Sequence, residues 1–225
     1  MIKLSVIISN YNRLNLLRQT LDTLRKNTKS EYKITVVDDA SEDIEVKNYL
    51  SDQKDIIHYE TGIRLPIYEV KNKGKEISPD SEYIHFCDND IFYLPDWDLE
   101  LIDILDNFPE IGIVGGKHHP HHTILERIKY KDKWINIMSV QPGYSLMIRS
   151  KDYDRFGPFT YREPNKFMGE DAIFCEKAMT LGFKIAAIDS PVLFHCGLTN
   201  FQHLYASEKD DILRNKNLYP EMIIE

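Results

Sequence analysis

The run Tyr83-Ile84-His85-Phe86-Cys87-Asp88-Asn89-Asp90 is a short apolar segment that stops at two carboxylates one residue apart. Side chains alternate across a strand, so Asp88 and Asp90 point the same way for as long as the extended backbone persists. The run reads as a strand of a parallel sheet, and in open α/β sheets ligands bind in the crevice beyond the carboxyl ends of such strands. Paired carboxylates are hard oxygen donors suited to Mn²⁺ or Mg²⁺, ions that commonly also hold substrate phosphates. The plain alternative is a polar turn after a strand, and a D-x-D spacing alone does not separate the two.

Upstream, the β-branched run over residues 4–8 ends at Ser9-Asn10-Tyr11-Asn12, after which Leu14, Leu17, Leu21 and Leu24 fall on one helical face. Residues 33–37 repeat the strand signature and end in Asp38-Asp39-Ala40-Ser41, the start of a loop and short helix. Residues 56–59 form a third strand and 66–77 a loop and helix. Downstream, Trp97, Leu101, Ile104, Leu105 and Phe108 share a helical face that Pro109 terminates. Residues 111–114 read as a buried strand, 117–141 as a long excursion without periodicity, and 144–148 as a strand. Gly169-Glu170-Asp171 opens a helix with Phe174, Ala178 and Leu181 on its apolar face. A strand over 183–188, a loop over 190–200 holding His195, and a solvated helix over 208–216 complete the chain. The class is α/β, a mainly parallel sheet covered by helices on both faces.

The 225 residues suffice for one domain with a full core. A net charge of −8 argues against a nucleic-acid partner, which clustered Lys and Arg would have to neutralise. Three cysteines, Cys87, Cys175 and Cys196, form neither a disulfide framework nor a C-x-x-C metal motif, so a reducing, cytoplasmic setting is expected. The N-terminal apolar run reaches Ser9-Asn10 too early for a signal peptide, and no apolar stretch is long enough to span a bilayer; membrane contact, if any, would be peripheral.

Asn10-Tyr11-Asn12, Asp38-Asp39, Asp88-Asn89-Asp90 and Glu170-Asp171 each follow a strand or open a helix, which in a parallel sheet brings them to one edge. In this order, with Lys71-Asn72-Lys73-Gly74 and Phe156-Gly157-Pro158-Phe159 between them, the chain closely resembles family 2 glycosyltransferases of the GT-A fold from about Leu4 to Gly197. Each motif is weak alone; six in order are specific. Two departures stand out, Ser9 where the family usually has Pro and Lys71 where it usually has Arg. Lys can still serve a phosphate, as a point charge instead of a bidentate fork.

The resemblance implies a nucleotide-sugar donor, commonly a UDP-sugar, and a saccharide or other hydroxyl acceptor. Residues 1–115 would form the donor half, 116–200 the acceptor and catalytic half, and 201–225 a helical tail of one domain. Tyr11 would pack on the base and Asp39 accept from a base N–H, with Asp38 or Asn10 close by; Asn12, Lys71 and Asn89 complete the expected donor contacts. Asp90 would ligate Mn²⁺ or Mg²⁺, supported by Asp88, with His195 a further ligand. Asp171 would be the general base of an inverting transfer, and Glu170 would orient an acceptor hydroxyl. Trp134 or Tyr144 could stack on a sugar. The stretch His118-His119-Pro120-His121-His122 lacks acid or Cys partners at zinc spacing and reads as a loop over the donor or acceptor.

Three other functions compete. A nucleotide-sugar-forming nucleotidyltransferase would want a glycine-rich phosphate loop after the first strand, where Ser9-Asn10-Tyr11-Asn12-Arg13 has no glycine. A phosphohydrolase would carry its D-x-D pair after the first strand and not the fourth. A non-catalytic nucleotide-sugar-binding module would have no use for Asp171.

Overall fold

The computed structural model describes residues 1–118, 122–161, 169–197 and 216–224. Four β-strands, β1 (Ile2–Asn10), β2 (Tyr32–Asp38), β3 (Ile56–Glu60) and β4 (Ser81–Asp88), are linked by helices α1 (Leu14–Asn27), α2 (Ile44–Asp52) and α3 (Ile67–Ile77). They pair in parallel in the order β3-β2-β1-β4. The sheet continues through β9 (Ser145–Arg149), β6 (Ile111–Gly115), β10 (Lys184–Ile188), β8 (Lys133–Met138) and β7 (Ile124–Tyr130), giving nine strands. A short β5 (Ile91–Tyr93) and β11 (Leu193–His195) form a separate antiparallel pair. The remaining helices are α4 (Trp97–Asn107), α5 (Ser150–Phe156) and α6 (Glu170–Thr180).

Each strand divides its side chains between two cores. On one face Val6, Ile8, Tyr83 and Cys87 meet Leu14, Leu17, Leu21 and Leu24 of α1 and Trp97, Leu101, Ile104 and Leu105 of α4. On the other, Ile7, Ile84 and Phe86 meet Phe156 and Phe159 and, from α6, Phe174 and Ala178. Burying each such leucine or phenylalanine contributes on the order of 1.5–3 kcal/mol. Both faces of the sheet are thus covered, as continuous apolar strands require.

The expectation of a mainly parallel sheet holds for β1 to β4 and fails beyond them. Strand β9 runs antiparallel to β4 and β6, and β8 antiparallel to β10 and β7; only β6 and β10 are parallel in that half. For β7 and β8 the cause is connection length: Tyr130 pairs with Lys133 across two residues, which can join only antiparallel strands. These two strands also fill much of the segment read as an aperiodic excursion. Leu181 is 47% exposed and lies off the apolar face assigned to it, and His195 ends a strand instead of sitting in a loop. Of the helix expected over 208–216 only Lys216 is described, and residues 119–121 of the histidine stretch also lie outside the described residues. No helix among the described residues is long and apolar enough to cross a membrane.

His85, at the middle of β4, is fully buried between the rings of Tyr93 and Trp97, and neither ring nitrogen has a hydrogen-bond partner. Burial pushes it from its ordinary value of 6.5 down to about 3. The folded state therefore keeps His85 neutral, while the unfolded chain takes up a proton below 6.5. The stability this neutral residue allows is intact above 6.5 and is lost as pH falls toward 3. Each pH unit in that window costs about 1.4 kcal/mol. Urea unfolding at about pH 7.5 and about pH 5 should show a loss in wild type that shrinks by about 2 kcal/mol in His85→Leu; equal losses in the two proteins would contradict this.

Candidate active site

Strand register assembles the site. Asn10 at the end of β1 stands opposite Asp38 of β2, and Ser9 opposite Asp88 of β4, so three strands deliver their polar ends to one edge. Ser145 of β9 pairs with Cys87, which brings the preceding Gly143 and Tyr144 to that edge from the other direction. His195 of β11 pairs with Ile91 of β5, one residue past Asp90. Together they border an open cleft of about 760 Å³ that Tyr11, Asp39, Lys71, Asp88, Asp90 and Asp171 all line.

At one end Asp39 Oδ1 accepts the Leu65 N–H at 2.7 Å, and Oδ2 stands 3.3 Å from Arg64 Nε. The Arg64 guanidinium lies over the Tyr11 ring, 3.5 Å from its centre. Tyr11 and Asp39 are thus neighbours, as a base-reading pair must be, with Arg64 bridging them. A lone arginine in a strand-to-helix loop carries no periodic or motif signal, and sequence reasoning passed over it.

Beneath this end runs a polar scaffold. Asn10 Nδ2 donates to Asp38 Oδ1 at 2.6 Å, and Asn89 Nδ2 donates to Asn10 Oδ1 at 2.7 Å and to the Asn12 carbonyl at 3.2 Å. Asn12 Oδ1 accepts the N–H groups of Glu42 and Asp43. Asp38 is wholly buried and, like Asn12, does not border the cleft; both fix loop positions instead of facing a ligand. Asn10 and Asn89 do border it while serving the same network.

In the middle, Asp88, Asp90 and His195 each offer a ligand atom within 4.8 Å of the other two. Asp90 is 2% exposed; its Oδ2 accepts from Arg13 Nη1 at 2.7 Å, while Oδ1 lies 3.1 Å from His195 Nε2. Two carboxylates facing one imidazole are a donor set that suits a hard-to-borderline divalent ion. The residues fit such an ion. Burial would raise the Asp90 carboxyl, but the charges of His195 and Arg13 outweigh it and hold the group below its usual range. Burial pushes Asp88 up to about 6 against the pull of Lys71, with the Asp90 charge adding to the rise. The Tyr144 ring stacks flat on His195, 4.7 Å between centres, and sets its plane.

At the far end Lys71, 1% exposed, donates from Nζ to Glu170 Oε1 at 2.7 Å. Burial would lower this ammonium and raise Glu170, yet their mutual attraction prevails, so Lys71 is raised and Glu170 lowered. Asp171 is raised, by burial first and then by the Glu170 charge. Its oxygens accept the N–H groups of Ala172 at 2.7 Å and Gly143 at 3.0 Å. A Cβ at Gly143 would stand 2.4 Å from Lys71 Nζ, so a larger residue there would push the ammonium from its place beside Glu170. No local pattern in the sequence marks this glycine. Trp134 lies on β8 under Arg127 and Lys129, outside the cleft, whereas Tyr144 borders it.

Similarity to known proteins points the same way as this geometry. Among solved structures, GalNAc-T7 crystallised with UDP, GalNAc and Mn²⁺ superposes with a TM-score of 0.70 at 13% identity over 87% of this chain and 43% of its own. The mannosyltransferase PcManGT from Pyrobaculum calidifontis, in complex with GDP-Man and Mn²⁺, gives 0.62 at 18% identity over 84% and 55%. Residues 1–349 of TarS from S. aureus give 0.58 at 17% identity over 85% and 59%. The chain spans about half the length of these proteins, and at such identities they show the fold, which is GT-A. The family model described as glycosyl transferase family 2 matches residues 5–177, more than half of the sequence, and the chain belongs to that family.

Proposed function

We propose that this chain transfers a sugar from a nucleoside diphosphate sugar, with a UDP-sugar the preferred donor, to a hydroxyl of a saccharide acceptor, inverting the anomeric carbon. The observation that carries the reading is one cleft lined by Tyr11 and Asp39, by the Asp88-Asp90-His195 cluster, and by Asp171. These three groups have the chemistry to take a base, a diphosphate and an acceptor hydroxyl respectively.

The base enters beside Tyr11, replacing the Arg64 guanidinium on its face, and a uracil ring N–H donates to Asp39. Aromatic stacking accepts any base, whereas a fixed carboxylate selects one with a donor edge. Asp90 and His195, with Asp88 alongside, would hold Mn²⁺ or Mg²⁺, which as a Lewis acid offsets charge on the leaving diphosphate. Lys71 is committed to Glu170, so the part it plays is to fix the acid pair, in place of the phosphate contact its motif suggests. The Lys71 ammonium is engaged with Glu170 and lowers it, whereas burial and the Glu170 charge raise Asp171, which suits Asp171 to accept a proton. Asp171 takes the acceptor hydroxyl proton as the oxygen bonds to the anomeric carbon and the bond to the diphosphate breaks on the opposite face.

Titration of UDP, GDP and ADP with Mn²⁺ present, followed by turnover of the matching nucleotide-sugars, tests this. UDP should bind tightest, and Asp39→Ala should weaken it about tenfold or more, the scale of one charge-assisted hydrogen bond. Equal affinity for the three nucleotides would overturn the base assignment.

A further inference from the structure

Arg13 closes the first of the matching motifs without a role of its own, yet its guanidinium pairs with the carboxylate of Asp90 in the cleft. Nη1 lies 2.7 Å from Asp90 Oδ2, while about a third of the Arg13 side chain remains exposed. Arg13 and Asn12 both adopt left-handed backbone angles, φ 57° and 52°, an uncommon pair for residues other than glycine, and they turn the loop between β1 and α1 over the acids. The chain leaving β11 closes on the same pair. A Cβ on Gly197 would stand 1.8 Å from Asp90 Oδ2 and 2.6 Å from Arg13 Nη1, so only glycine lets it pass.

We propose that Arg13 is a resident counter-cation that competes with divalent metal for Asp90 and is released to the diphosphate when the donor binds, which makes metal and nucleotide binding interdependent. The proposal rests on the nucleotide-sugar reading above. A guanidinium on Oδ2 and a divalent ion on the same carboxylate repel each other at short range. Metal bound alone at Oδ1 therefore weakens the Arg13 contact at Oδ2 and offers the guanidinium no anion in exchange. A diphosphate supplies that anion in the same cleft, and the fork of the guanidinium suits phosphate oxygens. Each ligand then favours the other, and the coupling is reciprocal.

The test measures free Mn²⁺ by electron paramagnetic resonance in titrations with and without UDP, for wild type, Arg13→Gln and Arg13→Lys, with melting curves to confirm folding. Wild type should bind Mn²⁺ weakly alone and more tightly with UDP, by a factor within the roughly 5–150-fold usual for coupled sites. Arg13→Gln should bind Mn²⁺ alone more tightly than wild type, bind UDP less tightly in the presence of Mn²⁺, and lose most of the coupling. Arg13→Lys, which keeps the charge, should resemble wild type toward Mn²⁺ alone and so carries the test if the Gln variant does not fold. If wild type couples UDP and Mn²⁺ but Arg13→Gln binds Mn²⁺ no more tightly, the counter-cation role is overturned and the nucleotide-sugar reading stands. If wild type binds neither UDP nor Mn²⁺, both fall.

Discussion

Asp171→Asn should lower kcat by about 10² to 10⁴ while leaving donor affinity within a few fold, the signature of losing a general base that acts in the transition state. The expectation follows from geometry and charge together. Asp171 lies in the first turn of α6 and lines the cleft, and its proton affinity is raised by burial and by Glu170. Asparagine keeps the volume but can accept only one of the two amide N–H groups, from Ala172 and Gly143, that now bind the carboxylate. A melting curve beside the kinetics separates lost basicity from a displaced loop. Glu170→Gln should behave differently, because it leaves the buried ammonium of Lys71 unpaired and so costs stability as well as rate. Near-full activity of a folded Asp171→Asn protein would move the base elsewhere, with Glu170 next to be tested.

Asp90→Ala should remove the dependence of nucleotide binding on Mn²⁺ and cut kcat/KM by on the order of 10² or more, since a Lewis acid at a leaving diphosphate supplies several kcal/mol. The carboxylate is the shared partner of Arg13 and His195, so its loss empties the centre of the cluster and not its rim. Asp88 and His195 alone leave only two of the three ligand groups. Unchanged Mn²⁺ dependence in Asp90→Ala would show that the ion is held by other residues.

What the sequence made legible were the strand ends. Apolar runs that stop at Asn10, Asp38 and Asp88 announce both the strand and the polar edge, and parallel pairing then brings them together without further information. The residues it hid act across the fold. Arg13 meets Asp90 over 77 positions, and Gly143 meets Asp171 over 28, contacts set by packing and by no local pattern. The hairpin β7–β8 was hidden for another reason. As the outermost strand of the sheet, β7 exposes most of its side chains, and its charges at Glu126, Arg127 and Lys129 break the alternation that marks a half-buried strand. Asn12 and Asp38 are polar residues at the same edge whose hydrogen bonds hold Asn89, Asn10 and Ser41.

Titrating UDP into the wild-type protein by calorimetry, once with EDTA and once with Mn²⁺, asks most directly whether the cleft is a metal-assisted nucleoside diphosphate site. Five acids, Asp39, Asp88, Asp90, Glu170 and Asp171, border it against three cations, Arg13, Arg64 and Lys71, so a diphosphate entering without a divalent ion meets net repulsion at short range. The account predicts binding that strengthens at least about fivefold when Mn²⁺ replaces EDTA. Equal affinity in the two titrations, or no binding in either, would contradict it.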